Sequence, residues 1–400
     1  MTQDNFPPLA GVRVLDAARV LAGPFCGQLL ADLGAAVVKL ERPGAGDDTR
    51  GWGPPYLGPL SAYFLSCNRN KRSLTLDVAA PEGRPIFHAL LAKSDVLIEN
   101  FRSDSAAKLG LEPEELLAKH PRLIVCSISG FGRKGPLKDA PGYDFAIQAL
   151  SGLMSITGPP EGAPYKVGVA LADVLTGLYA ATAILACLHA RAASGHGYAI
   201  DLALQDCALA SQVNVAQAFL ASGEVPKRQG NAHLQIVPYQ LFETADGWLV
   251  LNVGNDSQWR SFCAAAGAEG LGADDRFATN RQRVERRGEV VPKVAVLMKS
   301  FPTGEWVRRL GAANVPHAEV RDYAAVFADP NTAARGMTVS VTDPDGRPVD
   351  LVGSPFQIAG SSSPAVKYPP LLGQHTAEVL KEFVGLDDAA VAGLRAKGVV

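Results

Sequence analysis

From residue 11 onward the chain alternates short aliphatic, β-branched runs with helix-period segments, and no other feature constrains its fold as much. Val12–Leu15 reads as a strand, Pro24–Leu33 as a helix and Ala36–Leu40 as a second strand, which makes a βαβ unit. The pattern continues with strand Ser73–Leu76, helix Pro81–Lys93 with proline in its first turn, strand Val96–Ile98, helix Glu112–Lys119 and strand Leu123–Ile128. Strands separated by helices pair in parallel, so the fold class is α/β with a helix-covered parallel sheet. Gly142–Thr157 and Asp173–Ala193 predict long apolar helices. The second leads through Ser194-Gly-His-Gly197 into the alternating strand Tyr198–Leu202, and Asp206 opens another helix.

Past about Ser222 the texture changes. Leu241–Thr244, Asp246-Gly247 and Trp248–Leu251 read as a hairpin, and Arg276–Arg287 is rich in arginine. Strands and loops return near Asp329-Pro330, and helices over Thr376–Val384 and Asp387–Lys397 close the chain. The expected organisation is therefore a large domain from 1–222, a small domain over 223–328, and a C-terminal segment over 329–400.

Lys and Arg number 38 against 40 Asp and Glu, a formal charge of -2, which leaves no basic field for nucleic acid or an anionic membrane. Met-Thr-Gln-Asp-Asn-Phe-Pro-Pro at the start lacks the basic flank and apolar run of a secretory signal, so a cytoplasmic location is expected. Val174–Ala190 is the longest uncharged apolar stretch; it falls short of the about 20 residues of a membrane span and reads as a buried helix. The six cysteines are scattered, without a CxxC pair or neighbouring histidines, so neither a metal nor a disulfide is expected. Gly130-Phe-Gly-Arg-Lys-Gly135 matches GxGxxG after a strand. Pro136 and the turn chemistry of Leu137–Pro141 stand where a phosphate-binding helix should begin, which argues against a nicotinamide or flavin site.

Asp173 stands out because it opens an apolar helix after Val167-Gly-Val-Ala-Leu-Ala172. A carboxylate there can cap the helix by accepting backbone N–H groups. It can equally be a desolvated nucleophile able to form an acyl anhydride or thioester.

The strings Val20-Leu-Ala-Gly-Pro24, Val38-Lys-Leu-Glu-Arg42-Pro43-Gly44, Asn68-Arg-Asn-Lys71-Arg72-Ser73-Leu74, Leu97-Ile-Glu-Asn100-Phe101-Arg102, Pro141-Gly-Tyr143-Asp144 and Leu171-Ala-Asp173 fall in a specific order. With Asp329-Pro330, Ala334-Arg-Gly336-Met337 and Leu372–Leu380, this ordered set resembles the class III coenzyme A transferase family, also called CaiB/BaiF or formyl-CoA transferase-like, along essentially the whole chain. The resemblance implies a Rossmann-like large domain whose parallel sheet is built from N- and C-terminal segments, a smaller α+β domain, and an interlocked homodimer. It implies that Asp173 is the catalytic aspartate. Coenzyme A or acyl-CoA is the implied substrate, with no metal, contacted by Val20, Leu21, Ala22, Arg42, Leu76, Asp77, Asn100, Phe101, Arg102, Lys108, Tyr143 and Asp144.

Leu21 stands where formyl-CoA transferases carry glutamine, and Gly230–Tyr239 replaces their run of glycines. Those departures argue against an oxalate-specific enzyme, and Gly230–Tyr239 with Gly152-Leu-Met-Ser-Ile-Thr-Gly158 resembles the branch that uses succinyl-CoA and dicarboxylates such as glutarate, with His233 as an acyl-pocket residue. The fold also hosts α-methylacyl-CoA racemases, which carry Gly-His-Asp where this chain has Gly142-Tyr143-Asp144. A phenol with pKa about 10 is a poor base near neutrality, so transfer is the expected reaction. A catalytically silent CoA-binding subunit is the remaining alternative, and the intact Asp173 argues against it.

Overall fold

The computed structural model of the chain describes residues 6–361 and 365–400 in two compact units. The larger contains the chain up to Leu153, Val167–Val213 and the chain from Pro330 onward; the smaller contains Met154–Lys166 and Asn214–Asp329. The smaller unit thus includes 154–166 and 214–222, which the sequence reading assigned to the large domain.

In the larger unit, β1 (Arg13–Asp16), α1 (Ala22–Asp32), β2 (Ala36–Glu41), β3 (Lys71–Thr75), α2 (Gly83–Leu91), β4 (Val96–Glu99), α3 (Pro113–Lys119) and β5 (Ile124–Ser129) follow the predicted alternation. They are followed by α4 (Asp144–Leu150), α5 (Leu171–Ser194), β6 (Tyr198–Ala203) and α6 (Leu204–Ala210). All six strands pair in parallel in the order β3-β2-β1-β4-β5-β6. Successive residues of each strand divide between two cores. Val14, Val37, Ile98 and Ile124 pack with α1, α5 and α6 on one face. Leu15, Val38, Leu97 and Val125 pack with α2, α3 and the helix Thr376–Val384 on the other. Burial on both faces is what makes these strands read as continuous apolar runs.

The expectation that the C-terminal segment contributes to the parallel sheet is not met: all six strands lie between Arg13 and Ala203. The returning chain instead covers the sheet with Val379, Leu380 and Phe383, and forms a separate antiparallel ribbon from Thr338–Thr342 and Pro348–Val352. That ribbon buries alternate residues only, a pattern suited to a one-sided sheet and not to a strand covered on both faces.

The predicted helix Gly142–Thr157 is two short helices, Asp144–Leu150 and Leu153–Ile156, interrupted by Gly152 at φ +87°. α5 is long and apolar enough to cross a membrane, yet it packs against α1, α4, α6, β5 and β6 as the central helix of the unit.

The smaller unit has a three-stranded antiparallel sheet, His317–Glu319, Trp248–Asn252 and Tyr239–Glu243 in spatial order. Its core gathers Trp259, Phe262, Phe277, Met298 and Trp306. The buried Arg283 donates to the carbonyls of Val237 and Phe277 and pairs with Asp256 at 2.8 Å.

The GxGxxG string has a packing role. A Cβ on Gly130 would lie 2.6 Å from Cα of Gly142, which joins the end of β5 to the loop leading into α4. Gly130→Ala should therefore cost about 1–3 kcal/mol, read as a lowered urea midpoint at unchanged m-value.

Candidate active site

The strand order reverses between β1 and β4, so the loops leaving their C-terminal ends part and open a crevice. A cavity of about 390 Å³ occupies it. Its walls are Arg19–Ala22 after β1, Asn100–Arg102 after β4, Ile128–Gly130 at the end of β5, Lys138–Tyr143, Leu204, and Asp173 in the first turn of α5.

Two of these walls are tied together by Asn100, which accepts from the Arg19 N–H at 3.0 Å and donates to the Arg19 carbonyl at 2.9 Å. The Phe101 N–H donates to the buried Glu99 carboxylate at 2.8 Å. Burial holds that carboxyl above its usual range. α1 begins at Ala22 with no side chain capping its first turn, which leaves helix-start amides at the cavity wall.

Asp173 does not cap α5. The N-cap is Ala170, and the capping carboxylate comes from Asp144, whose Oδ1 accepts from the Ala172 N–H at 2.8 Å. Asp144 Oδ2 accepts from Nε2 of the buried Gln148. Gln148 also donates to the Val169 carbonyl and accepts from the Val167 N–H, so one side chain holds the approach to α5 from both sides. Asp173 is left as a half-buried carboxylate with no hydrogen-bond partner among the described residues. Burial, then the like charge of Asp144, pushes its pKa up to about 7.

The structure brings Val20, Leu21, Ala22, Asn100, Phe101, Arg102, Tyr143 and Asp173 to one cavity. Arg42, Leu76, Asp77, Lys108 and Asp144 stand outside its lining. Arg42 is exposed and shares the Asp48 carboxylate with Arg19, at 3.2 and 3.0 Å. Leu76 is core, and the Asp77 carboxylate accepts from the Ala79 N–H. Lys108 lies in the last turn of the helix Ser103–Leu109. In the smaller unit, His233 Nδ1 accepts from the Gln235 N–H at 3.0 Å, so the neutral ring carries its proton on Nε2. Its ring packs on Tyr239 with centroids 5.3 Å apart.

Sequence reasoning missed Arg19, Lys138 and Tyr63. The first two flank motifs already singled out, and this adjacency was the available signal. Tyr63 lies on the helix Ala62–Cys67; burial, then the carboxylate of Asp173, holds its phenol well above the ordinary range, so it stays a neutral donor. No group of three or more metal-ligating side chains occurs among the described residues.

Residues 9–376 match the family model described as CoA-transferase family III. The chain is 42% identical to a succinate–glutarate CoA-transferase of Agrobacterium fabrum, covering 96% of this chain and 98% of that one. It is 39% identical to the human succinyl-CoA:glutarate CoA-transferase over 99% of this chain and 91% of the relative. An acetyl-CoA:oxalate CoA-transferase of Acetobacter aceti is 37% identical, over 94% and 96%. Among solved structures, a CAIB/BAIF family protein from Brucella suis superposes with a TM-score of 0.82 at 42% identity, covering 95% of this chain and all of that one.

The raised carboxyl has a consequence for stability. Between the ordinary Asp value of 3.8 and about 7, folded Asp173 holds a proton that the unfolded chain has released, so its contribution to stability falls as pH rises through that window. Asp173→Asn removes the penalty. Its Tm should exceed the wild type's at pH 8, and the difference should shrink as pH falls toward 4, measured by calorimetry across that range.

Proposed function

This chain belongs to CoA-transferase family III and is an acyl-CoA:carboxylate CoA-transferase, and from that premise we propose that it moves CoA from succinyl-CoA to a dicarboxylate of about glutarate's size through covalent intermediates on Asp173. The observation that carries the mechanism is the Asp173 carboxylate itself, desolvated at a cavity wall and relieved of capping by Asp144. Carboxylates stripped of water and hydrogen-bond donors keep their nucleophilicity.

In this reading an Asp173 oxygen attacks the donor thioester carbonyl and the C–S bond breaks, giving an aspartyl-acyl anhydride and CoA thiolate. The thiolate attacks the aspartyl carbonyl, releasing the donor acid and leaving an aspartyl-CoA thioester. The acceptor carboxylate then attacks that thioester, expelling the thiolate and forming a second anhydride. Attack of the thiolate on the acceptor acyl carbonyl regenerates Asp173 and yields the new acyl-CoA. Each step exchanges one acyl bond for another, so no oxidant, metal or net proton is needed.

The amides on either side of Asp173 are already engaged, the Ala172 amide by Asp144 and the Val174 amide by the Ala170 carbonyl. The uncapped start of α1 at Leu21–Ala22 offers donors on the same cavity and takes the role of stabilising the oxyanion here. Arg19, Arg42, Arg102 and Lys138 supply cations for the CoA phosphates, with Asn100, Phe101 and Tyr143 along the pantetheine. The nucleotide end extends toward the Leu76–Asp77 turn and Lys108. Phe145, Leu150, Leu178, Tyr179 and Leu209 leave an exposed apolar surface along α4 to α6, which supports a second, interlocked copy as its cover. The six cysteines are unpaired, as suits a reducing cytoplasm.

The test is exchange of labelled CoA between succinyl-CoA and a panel of mono- and dicarboxylic acids. Glutarate-length diacids should be the best acceptors, and Asp173→Ala should lower kcat by at least about a thousandfold while still binding CoA. Near-normal exchange in that variant, or a uniform preference for monocarboxylates, overturns the corresponding half of the reading.

A further inference from the structure

Between β1 and α1, the cavity wall crosses Val20 at φ +72°, a left-handed conformation that a β-branched residue adopts only under constraint. The constraint is visible group by group. The Ala18 N–H donates to Asp16 Oδ1 at 3.2 Å, and the Ala18 carbonyl accepts from Lys39 Nζ at 3.1 Å. Both Arg19 backbone groups bond Asn100. The Val20 N–H donates to Asp47 at 3.3 Å, and the Val20 carbonyl faces the Cys67 thiol at 3.8 Å. Six consecutive backbone polar groups are therefore held by side chains, five of them remote in sequence.

Lys39 and Asp47 join two of these bonds into one unit. Their side chains are fully buried and paired at 2.8 Å. Asp47 is fixed in turn by the Thr49 N–H at 2.9 Å and hydroxyl at 2.7 Å, and its own N–H donates to Glu41, which is locked by Arg50. A buried ion pair is a poor source of stability compared with apolar residues of the same volume, so its placement against strained backbone calls for another role.

We propose that the buried Lys39–Asp47 pair is a positioning device for transfer: it holds Val20 in its left-handed conformation and so fixes the start of α1 in the cavity that Asp173 shares. Neither residue lines the cavity; both act through the Ala18–Leu21 backbone. This rests on the reading of Asp173 as the transferring carboxylate. Misplacing an oxyanion donor weakens the transition state more than the bound ground state, so the signature is a fall in kcat at nearly constant KM.

The experiment is a double-mutant cycle on the full chain. Lys39→Met combined with Asp47→Leu replaces the pair with apolar side chains, the change most compatible with folding. It should lower kcat about a hundredfold with KM for succinyl-CoA within about threefold. In a Val20→Gly background, where the left-handed conformation is free of steric cost, the same double substitution should lower kcat less than about tenfold. Asp47→Asn, which keeps one acceptor oxygen for Val20, should fall between wild type and the double variant, and provides the reading where the double variant does not fold. Deuterium exchange of the peptide spanning residues 17–25 should quicken once the pair is removed, whatever the activity. Equal losses in both backgrounds, a rise in KM at constant kcat, or unchanged exchange protection overturns the positioning role. Wild-type protein without CoA exchange instead overturns the transfer reading, and the deuterium measurement then still decides whether the pair holds the loop.

Discussion

The hydrogen bond from the Ala172 N–H to the Asp144 carboxylate joins the chain that follows β5 to the start of α5, and the chemistry of the site depends on it. A helix start attracts a carboxylate, and a carboxylate that caps is stabilised as an anion and shielded from substrate. Here two aspartates meet one helix start. Asp144 takes the capping position with Gln148 behind it, and Asp173 is kept in a desolvated setting beside a like charge. The geometry thus spends one carboxylate on structure so that the other stays reactive, a division set by environment and not by residue type.

The same logic runs through the buried charges of the sheet. Asp16, Lys39, Glu41 and Lys71 are buried strand or strand-end residues, and each is satisfied by a partner: Lys71 by Asp16 at 2.8 Å and the Pro24 carbonyl at 2.7 Å, Glu41 by Arg50 and Ser73. For Lys39, burial alone would lower the pKa, but Asp47, Asp16 and Glu41 together raise it, so the ammonium is retained; burial opposes ionisation of Asp47, and Lys39 outweighs it and lowers that pKa to about 2. Such groups form a charged floor beneath the crevice where the loops diverge. An apolar sheet would bury these loops at less desolvation cost but could not hold their backbone groups individually.

The parallel sheet was legible from the sequence because strands buried on both faces, separated by helices of regular period, leave a plain pattern. Strand positions from Val12 to Leu202 matched the structure to within a residue or two. Gly142–Thr157 misled because apolar content hid a break at Gly152, and the fate of the C-terminal segment depended on pairing partners that local pattern does not encode. Asp173 was legible as unusual, but its freedom from capping was not: it required knowing that Asp144 reaches Ala172 across a separation of 28 residues. Arg42 and Lys108 came from motif order alone and lie outside the cavity wall, whereas Lys138 is placed by a turn and Tyr63 by the helix Ala62–Cys67, and neither carries a motif of its own.

The central claim is that Asp173 is covalently engaged while CoA is transferred, giving one oxygen to the released donor acid and taking one from the acceptor. It is tested most directly by incubating the enzyme and succinyl-CoA with an acceptor acid carrying oxygen-18 in both carboxylate positions, then digesting and weighing the peptide that contains Asp173. Covalent transfer leaves one acceptor oxygen on the aspartate each time the second anhydride is cleaved, so the peptide should gain one oxygen-18 as acyl-CoA forms, and the label should locate to Asp173 by fragmentation. Formation of the new acyl-CoA with that peptide unlabelled would contradict the account.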